Sequence, residues 1–165
     1  MMITLTGFMG SGKTTVGKVL ADFLGCPFLD LDDLVVKKAG KSIPDIFAQD
    51  GEPAFRELEA KLLRQTVGKY AESTAVLALG GGAILAPASA ALLRDKTVCI
   101  YLRATLDTLL ARLAGETAGR PLADGALATR LAEREPLYEE TAHVTIDTDG
   151  LSPDEVADEI IISAL

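Results

Sequence analysis

Residues 2–14, MITLTGFMGSGKT, decide how this chain folds. The strand-like run Met2–Thr6 leads directly into Gly7-Phe8-Met9-Gly10-Ser11-Gly12-Lys13-Thr14, which fits G-x-x-x-x-G-K-[ST]. A helical pattern starts at about Lys13 and runs to Leu24, with Gly25 as its natural stop. Glycines let the connecting loop wrap so that successive backbone N–H groups point inward at a phosphate. The helix that follows adds its positive N-terminal end. In this arrangement Lys13 reaches the β- and γ-phosphates and the Thr14 hydroxyl holds Mg²⁺. Gly10, Ser11, Gly12, Lys13, Thr14 and Thr15 are therefore candidate nucleotide contacts.

Further along the chain, apolar runs alternate with helical patterns. Strands are expected at Pro27–Asp30, Ala75–Leu79, Thr97–Leu102 and His143–Asp147. Between them fall helical segments through Lys38 and from Ser42, where SIPD resembles a capping box, and a long amphipathic helix over roughly Pro53–Tyr70. Ser152-Pro153-Asp154-Glu155 opens a last helix, with Ser at N-cap, Pro at N1 and Glu at N3. The strands are apolar throughout rather than alternating, so both faces of their sheet should be covered. The fold class is α/β, a three-layer α/β/α sandwich on a parallel sheet. The 165 residues suit one domain, 1–165, with no repeat and no linker. Gly115–Gly125 is Gly-rich and polar and reads as a mobile loop between two helical patterns.

The formal net charge of −8 argues against nucleic acid as a partner. No apolar run approaches a membrane span, and the start lacks a signal peptide's basic region. Cys26 and Cys99 read as small buried hydrophobes in a reducing cytosol, and a cytoplasmic monomer is expected.

In open α/β sheets, ligands bind outside the carboxyl ends of the strands. The second strand delivers Asp30, Asp32 and Asp33 there. A carboxylate at Asp30 can order the water shell of Mg²⁺, and Asp32 can reach a substrate hydroxyl. Either acid can also cap the next helix. The third strand delivers Gly80-Gly81-Gly82, a bare backbone on which a polar small molecule can lie flat. Arg56 and Arg134 suit an acid substrate, since the planar fork of arginine matches a carboxylate. Arg120, in the mobile loop, is placed to bring positive charge to a transition state when the loop closes. His143, the sole histidine, has no catalytic partner in the sequence and reads as structural. Tyr138 is expected to pack or hydrogen-bond near Arg134.

The segments GFMGSGKTT, FLDLDD, SIPDIFAQDGEPAFRELE, LALGGGAI, GRPL and REPLY, in this order and at these distances, resemble the shikimate kinase family. The resemblance covers nearly the whole chain. It implies sheet order 2-3-1-4-5 and transfer of the γ-phosphoryl of ATP to the 3-hydroxyl of shikimate, with Mg²⁺, in chorismate and aromatic amino acid biosynthesis. It also implies an acceptor-binding segment at 31–60 and a lid at 115–125. Asp32 matches the acid that binds substrate hydroxyls and takes the proton or orients the hydroxyl; Asp30 matches the acid near Mg²⁺. Arg56 and Arg134 match the arginines on the shikimate carboxylate, and Gly80, Gly81 and Gly82 the substrate-side glycines. Arg120 matches the lid arginine, while Arg112 and Pro153 lie where the family sandwiches the adenine. Leu79 departs from the Thr or Ser that many members carry before the triple glycine. Two alternatives are another small-molecule kinase of this fold, such as a gluconate or nucleoside monophosphate kinase, and a nucleotide-binding protein without catalysis.

Overall fold

The computed structural model describes residues 1–116 and 124–165. In chain order the elements are β1 (Met2–Thr6), α1 (Lys13–Leu24), β2 (Phe28–Asp30), α2 (Leu31–Ala39), α3 (Ile43–Gln49), α4 (Glu52–Lys69) and β3 (Ala75–Ala78). A short 3-10 turn at Ala83–Leu85 follows, then α5 (Pro87–Lys96), β4 (Val98–Arg103), α6 (Leu106–Glu116), α7 (Asp124–Thr141), β5 (Val144–Asp147) and α8 (Pro153–Ala164). The five strands form one sheet of order β2-β3-β1-β4-β5, and every pairing is parallel.

The period of two along each strand separates two cores. Ile3 and Leu5 of β1, Val76 of β3, and Ile100 and Leu102 of β4 face α1 and α8, packing with Val16, Leu20, Val156 and Ile160. Met2, Leu77, Cys99 and Tyr101 face the other way, onto Leu62 and Leu63 of α4, Leu93 of α5 and Tyr138 of α7. Three layers result, as expected from the uninterrupted apolar strands. Thr4 is fully buried, and its hydroxyl lies 2.9 Å from that of Thr97, which itself donates to Leu93 O.

Local signals hold where a single residue decides the geometry. Gly25 ends α1 with φ of 63°. Ser42 caps α3 by accepting from Asp45 N. Ser152 and Glu155 form the reciprocal capping box of α8. Some boundaries differ. β2, β4 and β5 each start one residue later than expected, and β4 runs on through Arg103. Thr97 is not in β4 because it is the C-cap of α5, a helix that the apolar pattern did not single out despite Pro87 at its start. Of the segment 115–125, expected as a loop, Gly115 and Glu116 belong to α6 and Asp124 and Gly125 to α7, and the rest lies outside the described residues. Cys99 is buried, but Cys26 is only half-buried. His143 is structural: Nδ1 accepts from Cys99 N and Nε2 pairs with Arg94 O, tying β5 to β4 and α5. Among the described residues no helix is long and apolar enough to cross a membrane.

Candidate active site

The loop after β1 has the backbone that its glycines foretell. Gly10 and Gly12 hold φ of 81° and 93°, where a side chain is strained. A Cβ at Gly7 would fall 2.6 Å from Leu102 O, so the loop passes too close to β4 for any side chain. Lys13 arches back across the loop and donates to Gly7 O at 2.6 Å and Phe8 O at 3.0 Å. Burial lowers its ammonium to about 8, against the opposing pull of Asp32 and Asp30, and the nearby Arg134 lowers it further. The Ser11 hydroxyl is buried, with no hydrogen-bond partner among the described residues.

Asp30 is where β2 turns into α2. Its Oδ1 accepts from Asp32 N, which makes Asp30 the N-cap, and its Oδ2 accepts from Thr14 Oγ1 at 2.9 Å. The capping role weighed for both acids thus falls to Asp30. Asp32 is left free in the first turn of α2. Two hard oxygens, the Thr14 hydroxyl and the Asp30 carboxylate, converge beside the phosphate loop. That donor set suits Mg²⁺, which takes one or two protein oxygens and completes its shell with phosphates and water. No cluster of three or more His, Cys, Asp or Glu that would hold a metal by itself occurs among the described residues.

A cavity of about 600 Å³ opens beside the loop, floored by Gly80–Gly82. Asp32, Arg56 and Arg134 all line it, although they come from α2, α4 and α7. A Cβ at Gly81 would lie 3.5 Å from Arg134 Nη1 and 3.7 Å from both Gly7 O and Met9 N, so the floor abuts the phosphate loop. For Gly80 and Gly82 the structure adds a reason beside the close approach of a substrate read in the sequence. A Cβ at Gly80 would meet Asp32 Oδ1 at 2.9 Å and Glu59 Oε2 at 3.0 Å, and one at Gly82 would meet both Arg56 Nη atoms at 2.5 Å. None of the three has a positive φ. Gly80 and Gly82 are bare so that the protein's own charged side chains can lie on the backbone.

Glu59, not assigned a role from the sequence, is buried at 3% exposure and accepts from Arg56 Nη1 at 2.9 Å. Burial pushes its carboxyl up, and Arg56 pulls it back down. The i,i+3 spacing of Arg56 and Glu59 was visible in FRELE, but that Glu59 is buried was not. Arg56 Nε also lies 3.5 Å from the exposed Glu52. Asp32 is pushed up by burial and then by Asp30, with Lys13 and Arg56 opposing. Tyr138 is fully buried and stacks on Tyr101 at 5.0 Å. Its hydroxyl donates to Gly81 O at 2.5 Å and lies near enough to Arg134 to feel its charge. This fulfils the expectation for Tyr138 and makes it a brace between α7 and the glycine floor.

On the other side of the phosphate loop, a smaller cavity of about 200 Å³ is lined by Gly10, Gly12, Thr15, Arg112, Thr148 and Pro153. Arg112 donates to Gly10 O and to Thr148, bridging the loop to the segment before α8. These bonds use the edge of the guanidinium, whereas stacking on a base uses its face. Arg120 lies outside the described residues.

The shikimate kinase family model matches residues 9–164. A shikimate kinase from Enterococcus faecalis is 44% identical over 164 residues, covering 96% of this chain and 95% of its own length. One from Salinibacter ruber is 46% identical over 162 residues, covering 90% of this chain and 78% of its own. The solved structure of shikimate kinase from Acinetobacter baumannii in complex with shikimate superposes with a TM-score of 0.85 at 35% identity, covering 97% of this chain and 90% of that one. With the sheet order, the phosphate loop and a glycine-floored acceptor cavity already in place, similarity at this level over the full length means that the chain belongs to the shikimate kinase family.

Proposed function

We propose that this protein transfers the γ-phosphoryl group of ATP to the 3-hydroxyl of shikimate, giving shikimate 3-phosphate and ADP, one step in chorismate biosynthesis. One observation carries this reading: the glycine floor, flanked by Arg134, Arg56 and Asp32, lies against the phosphate loop at Gly7 and Met9. A donor phosphate on the loop and an acceptor on the floor would be neighbours, as an in-line displacement requires.

Each residue has a role in that scheme. Arg56 and Arg134 hold the substrate carboxylate, with Glu59 fixing Arg56 and Tyr138 beside Arg134. Gly80–Gly82 offer backbone groups to the ring hydroxyls. Asp32 orients the acceptor hydroxyl and takes its proton as the new P–O bond forms. Its raised affinity for protons makes it a stronger acceptor at neutral pH. Lys13 places its charge over the β- and γ-phosphates. Gly10–Thr15 wrap the phosphates, and Arg112 and Pro153 flank the adenine. Thr14 and Asp30 would hold Mg²⁺, which when bound neutralises phosphate charge. Arg120 is assigned, from its place in the sequence, to neutralise charge on the transferring group. The chain is proposed to work as a cytoplasmic monomer and single domain, with segment 31–60 forming the acceptor side and 115–125 the lid.

The test is ADP release measured with ATP and Mg²⁺, alone, with shikimate and with gluconate. The expected result is release that depends on shikimate. Release driven by gluconate, or the same rate with no acceptor, would refute the reading.

A further inference from the structure

Helix α7 carries two arginines one turn apart, Arg130 and Arg134, and both line the acceptor cavity. Like charges at i,i+4 weaken a helix, so the pair needs another reason to exist. The two differ in depth. Arg134 is half-buried at the glycine floor, whereas Arg130 is exposed at the rim. No acid pairs with Arg130 among the described residues.

The charge balance of the cavity supplies the reason. Its carboxylates are Asp32, Asp33 and Glu59, and its guanidiniums are Arg56, Arg130 and Arg134. The two sets balance only when Arg130 is included. Arg56 is moreover already engaged by Glu59 and Glu52. The chain as a whole carries a formal −8. Without Arg130, an anionic acceptor would approach a negatively charged mouth on a negatively charged protein. Fields of this kind govern encounter and selection more than the chemical step.

We propose that Arg130 is a specificity-determining residue that draws carboxylate-bearing acceptors into the cavity and so favours them over neutral cyclic polyols, on which it has no pull. The inference rests on the function proposed above. Because Arg130 is exposed, its influence reaches about a Debye length, roughly 8 Å at physiological salt, and fades as salt rises.

The test compares Arg130→Ala, Arg130→Glu and Arg130→Lys with the wild type at low salt and in about 0.5 M KCl, where screening is short-ranged. At low salt Arg130→Ala should raise the shikimate KM about threefold to fivefold, the scale of an exposed ion pair. Arg130→Glu should raise it further, and Arg130→Lys should restore it. The kcat and the ATP KM should not move. In high salt the KM ratio should approach one, which damage to the helix would not produce. Inhibition by shikimate methyl ester, a neutral probe, should be the same in all four proteins. A wild-type KM in Arg130→Ala at low salt, a rise that persists in high salt, or an equal change for the ester would each overturn the proposal. Absence of shikimate-dependent turnover in the wild type would overturn the function reading and this inference together. An active wild type with an unmoved variant would overturn this inference alone.

Discussion

Two adjacent glycines in one loop answer to different constraints, and substitution separates them. At Gly82 a Cβ would sit 2.5 Å from both Arg56 Nη atoms, whereas at Gly81 the nearest atom is 3.5 Å away, an ordinary contact. Gly82 holds φ of −108° and ψ of 7°, which alanine tolerates. Gly82→Ala should therefore displace the Arg56 guanidinium without unfolding the loop. Its shikimate KM should rise about tenfold or more, the scale of one lost charge-assisted hydrogen bond, while melting stays near wild type. Gly81→Ala should have the smaller effect in the same assay. If Gly81→Ala proved the worse of the two, contact with substrate rather than with Arg56 would explain the glycines.

Lys13 gives a pH signature at the same scale. Burial lowers its ammonium to about 8, so it loses its charge as pH rises through that value. Since kcat/KM reports the free enzyme, kcat/KM for ATP should fall above about pH 8, approaching tenfold per pH unit. Phosphates beside Lys13 favour its charged form, so kcat should hold to higher pH. A kcat/KM profile that stays flat to about pH 10 would contradict this assignment.

At the scale of elements, the join between β2 and α2 couples stability to the site. Asp30 caps α2 through Oδ1 and receives Thr14 through Oδ2. Asp30→Ala removes both, and should cost about 1 kcal/mol of stability along with activity. Asp30→Asn keeps a carbonyl acceptor for Asp32 N and removes the charge. It should melt near wild type but turn over more slowly, a split readable by calorimetry beside a rate assay. Gly17 marks a second join. A Cβ there would run into the Phe28 ring and within 3.3 Å of Leu5 Cδ1, so α1 lies against the sheet only because Gly17 is bare. Overpacking costs about 1–3 kcal/mol, somewhat more than alanine's helical advantage of about 1 kcal/mol. Gly17→Ala should lower Tm by a few degrees. An unchanged or higher Tm would mean that Phe28 moves aside freely.

Across the whole molecule, the parallel sheet grades stability from centre to edge. β1 and β3 are buried at every position and β4 over its four central residues, whereas β2 is half-buried throughout and β5 is partly exposed. Amide exchange should be slowest in β1, β3 and β4 and faster in β2. This arrangement sets the phosphate loop on the rigid centre, while Asp30 and Asp32 stand at the edge. Faster exchange in β1 than in β2 would reverse that picture.

What the sequence determined alone was local or periodic. The phosphate loop needs glycines at fixed short spacing and a following helix, Ser152 and Glu155 need only stand three positions apart, and the apolar strands imply a sheet covered on both faces. The resemblance to a family added the sheet order and the roles of Asp32, Arg56 and Arg134, and both the order and the gathering of these side chains hold in the structure. Tertiary structure decided whatever depends on distance through space. Glu59 became a buried partner of Arg56, Asp30 rather than Asp32 became the cap, and Gly80 and Gly82 proved bare for the sake of charged neighbours. Arg130 joined the cavity only because α7 lies across the carboxyl end of the sheet. Composition, caps and periods act over a few residues and can be read along the chain. A close approach between α2, α4 and α7 depends on how the crossovers stack, and no single segment encodes that.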